Sequence, residues 1–210
     1  MYDFRIETDL TAFDNFVKAN KGSYLQCSKW PEVKTGWGSR FYSGFFGEER
    51  VLTCLVLSRA LPVAGTIWYI PCGPLCDYKN EGLQKEFTAF IKAEMKKAGA
   101  TCLVVDPLIP LRISGEAQEE GVNAHKLLTE CGYSLNLKIE TYTYKHPVQT
   151  YIPLRDVEGN IIPSDKILKN CEKGVRYSVR IGTTRGLESK LYTYEDVKKN
   201  PQIMDEFMSV

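Results

Sequence analysis

No apolar run in this chain approaches the ~18 residues that a membrane-spanning helix requires. The opening segment, MYDFRIETDL, has no basic stretch followed by an apolar one. A transmembrane helix and a secretory leader are therefore not legible, and the chain is expected to be made and kept in the cytosol. Charge of one sign is also lacking, with 27 Lys and Arg against 26 Asp and Glu and a formal net charge of +1. That balance excludes a surface built wholly for nucleic acid, while leaving room for a local basic patch. Histidine is scarce: His125 and His146 stand far apart and apart from any cysteine pair. Repeats and low-complexity tracts are absent.

What is present is ordinary for a globular protein, with 43% hydrophobic and 25% charged residues in a length of 210. At roughly 150 residues per domain this is about one and a half domains. A chain of that size buries enough surface to fold without covalent staples. Seven cysteines, an odd number, are scattered along it, several in apolar runs such as VLTCLVL and TCLVV. They read as buried, reduced thiols acting as small hydrophobes. Cys72 and Cys76 are the one close pair, and a zinc site needs a second ligand pair that the sequence does not offer, so no metal site is assigned.

The order of elements is legible from periodicity. Thr8-Asp9 followed by Leu10, Phe13 and Val17 reads as a capped helix. The stretch from Trp30 to Trp37 reads as irregular and aromatic. RFYSGFFG and RVLTCLVLSR flank Gly47-Glu48-Glu49 as a hairpin, and TIWYIP is a further strand ended by Pro71. A loop, CGPLCDYKN, leads to a helix with Leu83, Phe87, Phe90 and Ile91 on one side and Gly99 as its stop. ATCLVVDP, with no polar alternation, reads as a strand covered on both faces. A helix through AHKLLTECG and a strand through YSLNLKIETYTY follow. The pattern is α/β, a mixed sheet with flanking helices over residues 1–147. Residues 148–210 read as a second unit: a short strand at YIPLRD, a long helix from Pro163, a strand at ESKLYTY and a helix through EDVKKNPQIMDEF. This unit is too short for a full α/β domain, and the chain reads as cut off inside it.

Two places attract chemistry. On a continuous helix from Ser164, Lys166, Lys169, Lys173, Arg176 and Arg180 fall within an arc of roughly 80°, apart from the apolar Leu168, Cys171, Val175 and Val179. Convergent cations and forked guanidinium groups suit carboxylates or phosphates; a solvated basic face is the alternative. Asp106 ends an apolar strand, where polar residues of α/β sheets point into ligand crevices; it also suits a turn before Pro107. RISGEA superficially matches the R-x-x-G-x-A loop by which acetyltransferases hold the pyrophosphate of coenzyme A. Its position is one βα unit too late, and the expected slot holds CGPLC, which lacks a row of glycines and free N–H groups.

Four motifs in order resemble one family. Ser23 to Lys34, SYLQCSKWPEVK, resembles the S-x-x-Q-x-x-x-W-x-x-x-K opening of the FemABX peptidoglycan-bridge aminoacyltransferases. Arg59-Ala60-Leu61-Pro62 with Tyr69-Ile70-Pro71-Cys72-Gly73-Pro74 resembles R-x-L-P … Y-I-P-x-G-P. Val104-Val105-Asp106-Pro107 resembles R-I-D-P, and Arg176-Tyr177-Ser178-Val179-Arg180 with Gly186 resembles R-x-x-I-R/K … G. Three positions depart from the pattern: Cys72 and Val104 stand where Arg is usual, and Gly182 where Ala is usual.

The resemblance implies two acetyltransferase-like (GNAT-like) domains, the first complete and the second only begun. A Lys and a Tyr that serve the tetrahedral intermediate in the family would lie beyond Val210. The implied reaction moves an amino acid from aminoacyl-tRNA, as co-substrate with no further cofactor, to an amine on the stem peptide of a UDP-linked or lipid-linked muropeptide. Asp106 is then the catalytic carboxylate beside the attacking amine. Lys34, Trp37, Gly73, Arg176 and Arg180 form the substrate-binding set, with Lys34 and the arginine pair on the diphosphate. The setting would be cytoplasmic, with a peripheral place at the inner face of the membrane. Self-association through the incomplete second unit is expected. The alternatives are a non-catalytic precursor- or tRNA-binding module and a coenzyme A-dependent N-acyltransferase.

Overall fold

Local signals build the first helix as the periodicity indicates, and a short strand that the sequence reading did not assign precedes it. In the computed structural model, which describes residues 1–63, 65–135 and 152–209, β1 (Asp3–Ile6) leads into α1 (Leu10–Ala19). The Asp9 carboxylate caps α1 by accepting from the Ala12 N–H at 2.9 Å, which satisfies one of the helix's orphan donors. Phe13 and Val17, one turn apart, form its buried face. The aromatic stretch is more ordered than expected: a 3-10 turn at Tyr24–Gln26 is followed by a one-turn helix, α2 (Trp30–Val33), with Pro31 in its first turn, where a missing N–H costs nothing.

The hairpin of β2 (Gly38–Phe46) and β3 (Glu49–Leu61) turns at Gly47, whose φ of +61° suits a residue without Cβ. β4 (Gly65–Pro71) follows. The presumed loop after it contains a two-residue strand, β5 (Leu75–Cys76), pairing with Leu52 and Thr53 of β3. α3 (Glu81–Ala98) is capped by Asn80 and closed by Gly99 in the left-handed region. β6 (Ala100–Asp106) lies parallel to β4. The sheet runs β1-β2-β3-β4-β6, antiparallel up to β4, with β5 beside β3. β6 is less covered than its apolar composition suggests. Thr101 and Cys102 are exposed, and among the described residues β6 ends the sheet, with β4 as its one strand neighbour. RISGEA forms a small hairpin, β7 (Arg112–Ile113) and β8 (Glu116–Ala117), before α4 (Glu119–Glu130).

The sheet has a core on each side. Alternate residues Tyr42, Leu52, Cys54, Val56, Trp68 and Ile70 pack with Leu83, Phe87 and Ile91 of α3. The opposite set, Leu55, Leu57 and Tyr69, packs with Phe13 and Val17 of α1, and Trp30, Trp37 and Val104 lean on that cluster. This is the period-two division of a strand placed between two helical layers. The cysteines are less uniform than their runs imply: Cys54 and Cys72 are buried, but Cys102 is exposed.

The chain divides into two units, Met1–Pro147 and Val148–Val210. The strand read over Tyr133–Tyr144 lies mostly outside the described residues. Among the described residues of the second unit, YIPLRD gives only an isolated bridge between Arg155 and Ile161, and ESKLYTY is not a strand. The long helix is two helices, α5 (Ser164–Asn170) and α6 (Lys173–Thr184), parted where Cys171 and Glu172 are extended. Asn170 and Gly174, poor helix formers, flank the break. The last helix is likewise split by Pro201 into α7 (Tyr194–Lys199) and α8 (Gln202–Met208). Pro201 brings no N–H and restricts the residue before it, so α7 stops at its doorstep.

Candidate functional site at the fork between two strands

β3 changes partner along its length. Leu57–Leu61 pair with β4, whereas Leu52 and Thr53 pair with β5. The changeover falls at Pro71, which has no N–H to give to the ladder. Gln26 closes the gap. Its amide Oε1 accepts from the Leu55 N–H at 2.8 Å, and its Nε2 donates to the carbonyls of Pro71 and Leu55. The side chain is fully buried, and it does for the two diverging strands what a paired residue would have done.

Gly73 packs directly on that amide. A Cβ at position 73 would stand 2.7 Å from the Gln26 Cδ, so only glycine lets the loop pass. Tyr78 fastens the loop from the other side, donating its hydroxyl to the Pro74 carbonyl at 2.7 Å. Burial pushes the Tyr78 hydroxyl well above its ordinary value, so it stays a neutral donor. Burial also pushes the Cys76 thiol up to about 12, which keeps it unreactive. Beside the fork lies a cavity of about 240 Å³, lined by Asn20, Gly22, Cys72, Pro74, Tyr78 and Ile109 among others.

Asp106 ends β6 opposite Pro71. Its Oδ2 accepts from the Tyr69 hydroxyl at 3.3 Å. On the same face of the sheet, Trp30 and Trp37 pack against the cluster that contains Tyr69. The Lys34 ammonium sits 5.0 Å from the centre of the Trp30 ring, and the Arg59 guanidinium 5.8 Å from that of Trp37, both cation–π arrangements. Four of the sequence-predicted residues, Lys34, Trp37, Gly73 and Asp106, therefore belong to one unit, around one cluster and the fork beside it.

Arg176 and Arg180 belong to the second unit. Both lie on α6, one turn apart, with Lys173 on the same stripe. The helix break separates that stripe from Lys166 and Lys169 on α5, so the continuous arc of five cations is not formed. Arg176 is also engaged locally: its Nη1 donates to the carbonyls of Lys169 and Cys171 and so terminates α5. The Arg180 guanidinium lies 5.5 Å from the ring centre of Tyr177.

Against known proteins, the FemAB family model matches residues 8–208. The chain belongs to the FemAB family. The FemAB fold is seen again in the crystal structure of FemX, which has 22% sequence identity and a TM-score of 0.62 and is matched over 87% of this chain. The chain spans 44% of FemX, less than half its length. A glucosamine-6-phosphate N-acetyltransferase from Arabidopsis thaliana is 10% identical over 65% of this chain and 93% of its own, with a TM-score of 0.43. An acetyltransferase-like protein from Clostridium difficile 630 is 14% identical over 70% of this chain and 99% of its own, at 0.43. No curated protein matches this FemAB chain. Among its described residues, no helix is long and apolar enough to cross a membrane.

Sequence reading missed three structural partners of this region. Tyr69 and Gln26 stand in the motifs, yet neither was assigned a task, because their partners lie 37 and 29 residues away. Tyr78 gave no signal beyond its place in a polar loop.

Proposed function

We propose that this FemAB-family chain takes part in transferring an amino acid from aminoacyl-tRNA to the stem peptide of a peptidoglycan precursor. The observation that carries the reading is the grouping of Lys34, Trp37 and Asp106 around the Tyr69 cluster, on one face of one sheet. A cation beside aromatic walls suits the diphosphate and base of a nucleotide-linked precursor, and a carboxylate at the strand end suits the amine of its stem peptide. In the reaction the amine nitrogen forms an amide bond with the aminoacyl carbonyl. The ester C–O bond breaks, and the ribose oxygen of the tRNA leaves as a hydroxyl with the second proton that the amine nitrogen gives up. Asp106 orients the ammonium and takes the proton that must depart before attack. Positioning of two large anionic substrates supplies most of the acceleration through effective concentration. No cofactor beyond aminoacyl-tRNA is invoked. Arg176 and Arg180 would add cations for the precursor from α6. The setting is the cytoplasm, peripheral to the membrane if the precursor is lipid-linked, and the exposed apolar residues of the second unit favour self-association.

A coenzyme A-dependent acyltransferase is the weaker reading. The loop after β4 places Leu75 and Cys76 in a ladder with β3 and holds Pro74, which has no N–H, so it offers no row of amides to a pyrophosphate. A non-catalytic binding module differs from the first reading only in turnover. Calorimetry with a UDP-linked muropeptide, followed by single-turnover transfer from aminoacyl-tRNA, separates all three. Binding with transfer supports the proposal, binding alone supports the module, and binding of coenzyme A esters in place of muropeptide overturns both.

A further inference from the structure

We propose that Arg59 is a further substrate-binding residue, whose guanidinium holds a phosphate of the nucleotide-linked precursor; this rests on the functional reading above. In Arg59-Ala60-Leu61-Pro62, Leu61 pairs with Gly65 and Pro62 stands in the turn to β4, so both serve the hairpin. Arg59 has no such task. Its side chain is exposed, and among the described residues its guanidinium has no acidic partner. By the two-residue period of β3 it follows Leu55 and Leu57 on the face that carries Tyr69. The Trp37 ring, 5.8 Å away, backs the guanidinium and leaves its forked N–H groups to point past the ring edge. The Trp37 N–H donates to the Lys34 carbonyl at 3.1 Å, closing a turn that brings Lys34 beside Trp37, and the Lys34 ammonium lies against Trp30. Two cations and two indole rings thus alternate along one edge of the site. The acid of α2, Glu32, is drawn off by Lys29 at 2.8 Å. Such an edge suits an anion with a planar base attached to it. Its distance from Asp106 suits the same ligand. Arg59 stands opposite Ile67 on β4, and Asp106 opposite Pro71, four residues further along that strand. At about 3.3 Å per residue the two rows are roughly 13 Å apart. In a nucleotide-linked muropeptide a sugar and a stretch of peptide stand between the diphosphate and the stem amine, so the groups that receive them belong well apart.

The test is calorimetry on the full chain with a UDP-linked muropeptide and with the same muropeptide lacking the UDP group, alongside retention of tRNA on filters. Arg59→Gln should weaken binding of the UDP-linked compound by on the order of tenfold or more, the scale of a hydrogen bond to a charged group. Its affinity for the phosphate-free compound and its denaturant midpoint should stay at the wild-type values. Arg59→Lys, which keeps the stem over Trp37 and one charge but loses the fork, should recover part of the loss. Arg59→Met keeps the stem alone and should recover none. Full recovery by methionine would trace the effect to packing on Trp37 and overturn the proposal. So would an equal loss on both muropeptides, or a loss on tRNA alone, which would give the guanidinium to the tRNA backbone. Arg59→Gln with wild-type affinity for the UDP-linked compound overturns the role of Arg59 and leaves the functional reading standing. A wild type that binds neither muropeptide overturns the functional reading and this proposal with it.

Discussion

Gln26 stands in for a residue of the sheet: its Oε1 takes the Leu55 N–H at 2.8 Å while its amide nitrogen serves Pro71, the residue that cannot donate. The fork between β4 and β5 exists because proline interrupts the ladder, and it is tolerable because a side chain from elsewhere completes the hydrogen bonding. Gln26→Leu keeps the volume and leaves the Leu55 N–H and the Pro71 carbonyl buried without this partner. At about 1–3 kcal/mol for each unsatisfied group, the loss should be on the order of 3 kcal/mol, read from denaturant midpoints. A loss under half of that would mean that the fork relaxes to pair its own strands.

Gly73→Ala tests the other side of the same amide. The new methyl would meet Gln26 Cδ at 2.7 Å, closer than side-chain atoms approach. The variant should lose about 1–3 kcal/mol as an overpacked site does. In the Gln26→Ala background, where the obstructing amide is gone, Gly73→Ala should cost much less, and equal costs in both backgrounds would show that the clash is not with Gln26.

Glu7 gives a pH dependence. Burial alone would push its carboxyl up, but hydrogen bonds from Ser43, the Asp9 N–H and Arg50, with the guanidinium's charge, bring it below the ordinary value of 4.5. A carboxyl depressed in the folded state stabilises it above the unfolded value, and that stability is lost as pH falls through the folded one. Wild type should therefore exceed Glu7→Gln in melting temperature by a constant margin above about pH 5.5, with the margin closing as the pH drops below 4.5. A margin that persists at the lowest pH would place its origin in packing.

Lys34→Ala should leave folding unchanged and weaken binding of a UDP-linked muropeptide, by about 1–3 kcal/mol for a charge-assisted contact. Calorimetry gives the answer directly, and an unchanged affinity removes Lys34 from the site.

The two arginines of α6 should part company. Arg180→Ala should weaken muropeptide binding with helicity intact. Arg176→Ala should also fray the end of α5, because its guanidinium donates to the Lys169 and Cys171 carbonyls. Circular dichroism alongside calorimetry distinguishes them, and equal loss of helicity in both variants would count against the local role of Arg176.

The sequence by itself determined what rests on neighbours in the chain. Asp9 announced a helix start, Gly99 announced a stop, and the runs RFYSGFFG and RVLTCLVLSR on either side of Gly47 announced the hairpin, because caps, turns and strand propensity act over a few residues. The motifs also carried Lys34, Trp37, Gly73 and Asp106 as candidates, though without a reason for their grouping. Only the tertiary structure decided that Gln26 bridges β3 and β4, that Gly73 is needed to clear it, and that Tyr69 meets Asp106. Each of these depends on the register between strands distant in sequence, which no window of residues contains. The break at Cys171 was hidden for a related reason. Helix propensity through Asn170–Gly174 is weak, and the compensating bonds come from Arg176, whose side chain folds back along the chain.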